Sequence, residues 1–251
     1  KKIEVEHRKS LFPISFWEES PLFDRKLNSL SARLKESRSG IIAEHKRRSP
    51  SKQNINNSLS VNEVAKGYEN AGVCGMSVLT DGKYFGGSLD DLNHARAVTN
   101  FPLLRKEFIV NEYQLIEAKA HGADLILLIA AVLTREEIKQ LSTVAKQLDL
   151  EVLLEVHNQE ELEKSLMPTI DMLGVNNRNL KTFEVSLEIS KQLAEQIPND
   201  FVKVSESGIS DIEAIKDLQT YGYQGFLVGE NFMKTNDPGF AAQQFIKQLE
   251  G

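Results

Sequence analysis

Thiols are almost missing from this sequence. Cys74 is the only cysteine among 251 residues, which excludes a disulfide framework and leaves too few thiols for a zinc-thiolate site. Long apolar runs are missing too. The longest, Leu125 to Leu133, is far short of the roughly 20 residues that a spanning helix needs. The opening Lys-Lys-Ile-Glu-Val-Glu-His-Arg has no apolar region of the kind an export signal carries. Positive charge is not in excess, because 30 lysines and arginines face 36 aspartates and glutamates, a net charge of −6. That balance argues against nucleic acid or an anionic membrane as the main partner. It leaves room for a small anionic substrate held by local lysines and backbone amides. His94, His121 and His157 have no metal-ligand spacing with one another, so no metal is expected, and His7 reads as surface. These absences predict a soluble, cytoplasmic protein. The chain opens on Lys1 rather than Met, which leaves the completeness of the N-terminus open.

No Gly/Ser linker, low-complexity segment or charge block divides the chain. What is present is a rhythm of short apolar runs, each followed by a loop and an amphipathic stretch. The runs are Gly40–Lys46, Cys74–Leu79, Pro102–Phe108, Ala123–Ile129, Glu151–Val156, Asp171–Asn176, Phe201–Ser205 and Gly225–Gly229. Each is too short for a helix, and most have few polar residues, as strands covered on both faces should. Between them, Leu59–Tyr68, Asn111–His121 and Asn158–Leu166 have helical spacing. Ser60 with Glu63, Thr134 with Glu137 and Ser210 with Glu213 are spaced as capping boxes, and Gly122 follows its helix as a C′ glycine.

Eight strands alternating with helices over this length predict a single (β/α)8 TIM barrel, an α/β fold. A doubly wound open sheet is the alternative, but it usually has fewer strands and a phosphate loop after the first. Residues 1–39 are expected to form an N-terminal helical leader, helical around Leu22–Glu36, packed on the barrel through Trp17 and nearby phenylalanines. Residues 40–251 form the barrel, with no second enzyme expected after it. Cys74 reads as a small buried hydrophobe.

In such a barrel the chemistry belongs at the C-terminal ends of the strands. Run one ends with Glu44 and Lys46 on one face and His45 on the other. Run three ends near Lys106, run five near Glu155, run six near Asn176 and Arg178, and run seven near Glu206, Ser207 and Gly208. Run eight ends at Gly229 and Glu230. A single strand-end lysine is ordinarily a solvated side chain. Charges of both signs crowded into one mouth would shift each other's pKa values, which suits proton transfer. The glycine turns after strands seven and eight are the usual phosphate site in these barrels.

Ile41-Ile42-Ala43-Glu44-His45-Lys46-Arg47-Arg48-Ser49-Pro50-Ser51-Lys52 resembles the first-strand motif of the indole-3-glycerol-phosphate synthase family. Ser77–Asp81, Leu104–Phe108, Leu154–His157, Gly174–Leu180, Ser205–Ile209 and Phe226–Gly229 resemble it in the same order. The similarity runs from about Gly40 onward, and the leader is similar only loosely. The resemblance implies a carboxy-lyase of tryptophan biosynthesis. Its substrate would be a phosphorylated aromatic aminodeoxypentulose, 1-(2-carboxyphenylamino)-1-deoxyribulose 5-phosphate, closed to indole-3-glycerol phosphate with loss of carbon dioxide and water. No cofactor and no metal are implied, and the enzyme would be a monomer with at most weak self-association. Lys106 matches the general acid at the ketone oxygen. Glu155, Glu44 and Lys46 match groups that move protons in ring closure and dehydration, with the division among them open. Asn176, Glu206 and Ser207 match substrate-positioning residues, and Arg178 one near the anthranilate. Ser49, Ser51, Gly208, Gly229 and Glu230 match the phosphate region. Phe85, Phe108, Pro50 and Leu180 match an apolar pocket for the aromatic ring.

Three positions depart from the family pattern. Gln53 stands where glycine is usual, which predicts a stiffer loop. Asp81 stands for Glu, and His45 takes a position usually apolar, where it needs a partner. The competing readings are a sister phosphate barrel such as phosphoribosylanthranilate isomerase, which uses a cysteine at the first strand end, and a non-catalytic phosphosugar-binding barrel.

Overall fold

Short polar side chains start most of the helices. Ser29, Ser60, Asp81, Ser88, Thr134, Asn158, Asp211 and Asp237 each accept a hydrogen bond from a first-turn amide, meeting donors that the helix itself cannot satisfy. The computed structural model describes residues 1–251. The leader contains α1 (Lys2–Leu11), α2 (Ile14–Glu18) and α3 (Leu30–Glu36). The first half of the barrel is β1 (Ile41–His45), α4 (Val61–Ala71), β2 (Gly75–Leu79), α5 (Gly82–Phe85), α6 (Leu89–Val98), β3 (Leu103–Lys106), α7 (Tyr113–Ala120) and β4 (Leu125–Ile129). The second half is α8 (Arg135–Gln147), β5 (Glu151–Val156), α9 (Gln159–Ser165), β6 (Met172–Asn176), α10 (Glu188–Ala194), β7 (Val202–Glu206), α11 (Ile212–Thr220), β8 (Gly225–Val228), α12 (Glu230–Met233) and α13 (Pro238–Glu250). A 3-10 turn, Ala130–Val132, follows β4. All eight strands are parallel and pair in chain order, with β8 closing on β1.

The barrel and its eight strands stand where the sequence places them, with edges moved by a residue or two. Lys46 and Gly229 fall just outside their strands, β3 stops at Lys106 instead of Phe108, and β7 extends to Glu206. Cys74 is buried, as expected. Gly122 takes a left-handed φ of 84° after α7. Thr134 and Glu137 form a reciprocal capping box. Ser60 caps α4 without the return bond from Glu63, and α11 is capped by Asp211, not Ser210.

Strand alternation sorts the core into two parts. Outward residues such as Ile41, Val78, Ile126, Leu154 and Val175 join the helices in a large apolar layer. Inward residues such as Ile42, Leu104, Leu127, Leu153, Met172 and Val204 fill the barrel. Lower in the barrel that filling includes Leu30 and Leu34 of the leader, each about 1% exposed. Two glycines make room for them: a Cβ on Gly75 would lie 2.9 Å from Leu30 Cδ1, and one on Gly225 would lie 3.1 Å from Leu34 Cδ1. The Glu151 carboxylate at the start of β5 accepts from the amides of Leu30 (2.8 Å) and Ser31 (3.1 Å), an anion at a helix N-terminus. Helix α3 is thus a plug in the N-terminal mouth.

The rest of the leader is not the single helix over Leu22–Glu36 that the sequence suggests. Residues 22–29 are irregular, held by tertiary bonds: Arg25 pairs with Asp124 at 2.8 Å, and the Asn28 amide donates to the same carboxylate at 2.7 Å. Upstream, α1 and α2 lie on α7. Trp17 Nε1 donates to the Tyr113 hydroxyl (2.7 Å), and Arg8 pairs with Glu117 (2.8 Å). Lys1 reaches the C-terminal side of the barrel, where its ammonium meets Asp81 and Glu107 at 2.9 and 3.0 Å. On the far side α13 seats against α4 at a glycine contact, where a Cβ on Gly67 would lie 3.0 Å from the Gly239 Cα.

If α3 plugs the barrel, Leu34→Ala removes apolar contacts that nothing else can replace. Denaturant unfolding is expected to show a loss of about 2–4 kcal/mol, and a loss under about 1 kcal/mol would remove the plug from the account of stability.

Candidate active site

The inward alternation that makes an apolar filling below delivers polar groups above. Glu44 follows Ile42 on β1, Lys106 follows Leu104 on β3, Glu155 follows Leu153 on β5, and Glu206 follows Val204 on β7. Lys46, one step beyond β1, keeps the same parity. The structure brings all five together. Lys106 Nζ donates to Glu206 Oε2 at 2.9 Å and lies 3.2 Å from Glu44 Oε2, while Lys46 Nζ lies 2.6 Å from Glu44 Oε1. His45 turns the other way into the helix layer, 1% exposed, with Nε2 lacking a hydrogen-bond partner. The partner expected for it is thus missing on that side, and burial with the nearby Arg47 lowers its pKa to about 4. It is neutral near pH 7.

Two glycines give the carboxylates their space. Gly174 sits in the middle of β6, and a Cβ there would collide with Glu206 Oε1; one on Gly229 would lie 2.7 Å from Glu44 Oε1. Glu206 Oε1 is buried and makes no protein hydrogen bond. A glycine inside a strand weakens it, and at Gly174 that weakness comes with the room that Glu206 needs.

Three carboxylates face two ammonium groups, and the titration follows that imbalance. Burial would raise Glu44, but Lys106 and then Lys46 outweigh it and hold the carboxyl at about 2. Burial works against a charged Lys106 as well, yet Glu206, Glu44 and Glu155 together hold it well above the ordinary lysine range. Glu155 has no lysine of its own. Burial, then the Glu206 charge, raise it to about 6, only partly offset by Lys106 and His157. One carboxyl is fixed as an anion, and a second titrates near neutrality, which is how paired acids separate their roles.

Around this centre, Asn176 is buried beside Glu155 and accepts from the Arg178 amide at 3.0 Å. The Arg178 guanidinium donates to the Phe183 carbonyl at 3.1 Å. Ser207 and Gly208 make a tight turn, both with left-handed φ, of 68° and 78°. Buried Asn177 holds that turn, its amide donating to the carbonyls of Glu206 (3.0 Å) and Ser207 (3.1 Å) while its oxygen accepts from Ser190 Oγ (2.8 Å). After β1, the amides of Ser49 and Lys52 each donate to the other's carbonyl, and the Ser49 and Ser51 hydroxyls lie 3.2 Å apart. Lys52 then pairs with Glu230 at 2.7 Å, joining this turn to the Gly229–Glu230 turn after β8. Gln53 is exposed on the same loop. Phe85 and Phe108 have ring centroids 6.2 Å apart at the rim. Pro50 and Leu180, expected beside them, sit exposed on their loops and join no buried apolar cluster.

Sequence reasoning did not assign roles to Asn177, Gly174 or Lys52. Only Gly174 carried a signal, as a glycine inside an apolar run. No group of three or more histidine, cysteine, aspartate or glutamate side chains is arranged to hold a metal ion, and no helix is long and apolar enough to cross a membrane.

Residues 1–249 match the family model described as indole-3-glycerol phosphate synthase, so the match takes in the leader as well as the barrel. The indole-3-glycerol phosphate synthase of Bacteroides thetaiotaomicron is 48% identical over 250 residues, covering 100% of this chain and 96% of the relative. That of Chromobacterium violaceum is 45% identical over 209 residues, covering 83% and 79%. Among solved structures, 3-hexulose-6-phosphate synthase from Salmonella typhimurium aligns over 84% of this chain and 98% of its own with a TM-score of 0.66. At 14% identity that likeness shows the shared barrel alone.

The raised pKa of Glu155 has a consequence for stability. A carboxyl at about 6 in the fold against an ordinary 4.5 favours folding while it is protonated, and that help is lost as pH rises through 6. Ionised, it destabilises the fold by about 2 kcal/mol. Glu155→Gln is therefore expected to raise the melting temperature by several degrees at about pH 8 and to change it little near pH 4. A variant less stable than wild type at pH 8 would contradict this.

Proposed function

The chain belongs to the indole-3-glycerol phosphate synthase family, and we propose that Lys106, Glu155 and Lys46 divide that family's proton transfers among them, with Glu44 as the anion that holds the two lysines. The enzyme is a carboxy-lyase of tryptophan biosynthesis. It closes 1-(2-carboxyphenylamino)-1-deoxyribulose 5-phosphate to indole-3-glycerol phosphate, releasing carbon dioxide and water. The observation that carries the assignment of roles is Lys106, kept charged between Glu206 and Glu44 at the barrel mouth.

Ring closure needs a weak carbon nucleophile to attack a ketone, so charge builds on the ketone oxygen. A preplaced ammonium stabilises that charge and can supply its proton, and Lys106 is the best placed group for both. Decarboxylation then needs no electron-sink cofactor, because the neighbouring iminium accepts the electron pair. Loss of the hydroxyl requires an acid and a base. Glu155, with a pKa of about 6, is able to take and return a proton near neutrality, whereas Glu44 at about 2 stays an anion. Glu44 therefore acts by holding Lys106 and Lys46 in place through its two ion pairs, and Lys46 is the acid paired with Glu155.

The remaining positions fit substrate binding. Asn176, Glu206 and Ser207 line the centre and position the sugar chain. The turns at Gly208 and at Gly229–Glu230, with Ser49 and Ser51, receive the phosphate, and the amides of Gly208, Gly229 and Glu230 donate to no backbone carbonyl. Phosphate held there supplies remote binding energy for bending the chain into a reactive shape. Phe85 and Phe108 grip the aromatic ring, with Pro50 and Leu180 closing over it, and Arg178 lies toward the anthranilate carboxylate. The proposed site needs no residue from a second copy, and we propose a monomer in the cytoplasm. The isomerase alternative lacks its cysteine, because Glu44 and Lys46 occupy the end of β1.

The test is turnover of the carboxyphenylamino-deoxyribulose phosphate, followed by indole fluorescence, in wild type and Lys106→Ala. The variant is expected to lose about 10³-fold or more in kcat while still binding substrate. Turnover within about tenfold of wild type would remove Lys106 from the chemistry.

A further inference from the structure

His157 lies two residues past Glu155 with the same inward parity, yet it is absent from the division of roles above. Its ring is nearly enclosed, with 11% of the side chain exposed, and it sits between two carboxylates. Nδ1 is 3.0 Å from Glu161 Oε2, and Nε2 is 3.4 Å from Glu155 Oε1. Nε2 is buried and has no hydrogen-bond partner. Glu161 is itself well fixed: the same Oε2 accepts from the His157 amide at 2.8 Å, and Oε1 accepts from Asn158 Nδ2 at 3.1 Å. Asn158 in turn caps α9 through the Glu161 amide at 2.9 Å. A carboxylate on one ring nitrogen sets the tautomer and leaves the other nitrogen as an acceptor. Here Nδ1 carries the hydrogen toward Glu161, and the Nε2 lone pair faces the carboxyl of Glu155.

We propose that His157 is a positioning residue for ring closure and dehydration: backed by Glu161, it takes the proton that Glu155 collects from the substrate and returns it. The proposal rests on the reading of Glu155 as the proton carrier. The step is balanced. The Glu155 O–H bond breaks and a bond from Nε2 to hydrogen forms, so a neutral acid and a neutral imidazole become a carboxylate and an imidazolium. The imidazolium keeps its Nδ1–H on Glu161, and no electrons are transferred.

The surroundings favour the exchange. Burial would lower His157, but Glu161, followed by Glu155, holds it above its ordinary value. From the other elements, Glu206 on β7 acts on both groups, and Lys106 on β3 and Asn176 on β6 act on Glu155. The turn at Ala130–Val132 brings no charge, and Arg135 on α8 reaches only the Glu163 carbonyl.

The experiment is the pH dependence of kcat and kcat/KM over about pH 5 to 9 for wild type, His157→Gln, Glu161→Gln and Glu155→Gln. His157→Gln is expected to lower kcat about tenfold or more near neutrality with KM within about twofold of wild type. Its acid limb should move to higher pH, because a cation that favours ionised Glu155 is gone. Glu161→Gln should move the limb the same way by less, and it decides the matter if His157→Gln proves unfolded. A profile superimposable on wild type in either folded histidine or Glu161 variant overturns the relay. Wild-type kcat in Glu155→Gln overturns the underlying reading along with it, whereas a dead Glu155→Gln beside a normal His157→Gln overturns the relay alone.

Discussion

An ammonium group buried inside a barrel costs several kcal/mol unless anions stand beside it. For Lys106 those anions, Glu44 and Glu206, come from β1 and β7, neither of which pairs with β3. Only a closed ring of strands brings them within 3.2 Å of one nitrogen. The two carboxylates then need room of their own, and that requirement falls on Gly229 and Gly174. Glu155 inherits what is left of the imbalance, a third acid with no lysine to hold its charge. The lysine's need for company thus fixes strand closure, two glycines and the one carboxyl that titrates near neutrality.

The same inward faces do different work at the two ends. Below, they are leucine, isoleucine, methionine and valine around Leu30 and Leu34 of the leader. Above, two residues further along β1, β3, β5 and β7, they are charged. Apolar packing and chemistry are therefore separated along the barrel axis, as is usual in this architecture. The leader touches both ends, with Lys1 on Asp81 and Glu107 above and α3 in the lower mouth.

Much of this was legible in the sequence because strand periodicity is strict. Glu44 and Lys46 inward, His45 outward, and charge at the ends of runs three, five and seven all follow from counting by twos. What was not legible depends on tertiary partners. Residues 22–28 have helical spacing, but Asp124 claims Arg25 and the Asn28 amide and holds the chain irregular. Asp211 rather than Ser210 caps α11, a choice between adjacent residues that composition does not decide. Asn177 gave no signal, because its work is to tie a turn on β7 to α10, a distance visible only in the fold.

The plug and the seam also impose an order in time. A ribosome makes Leu30 and Leu34 before any strand that will surround them, and Gly239, which seats α13 against Gly67, near the end. Throughout synthesis the nascent chain therefore holds two bulky apolar side chains without their cavity and a growing sheet with two open edges, the state in which unpaired strands and uncovered leucines invite wrong partners.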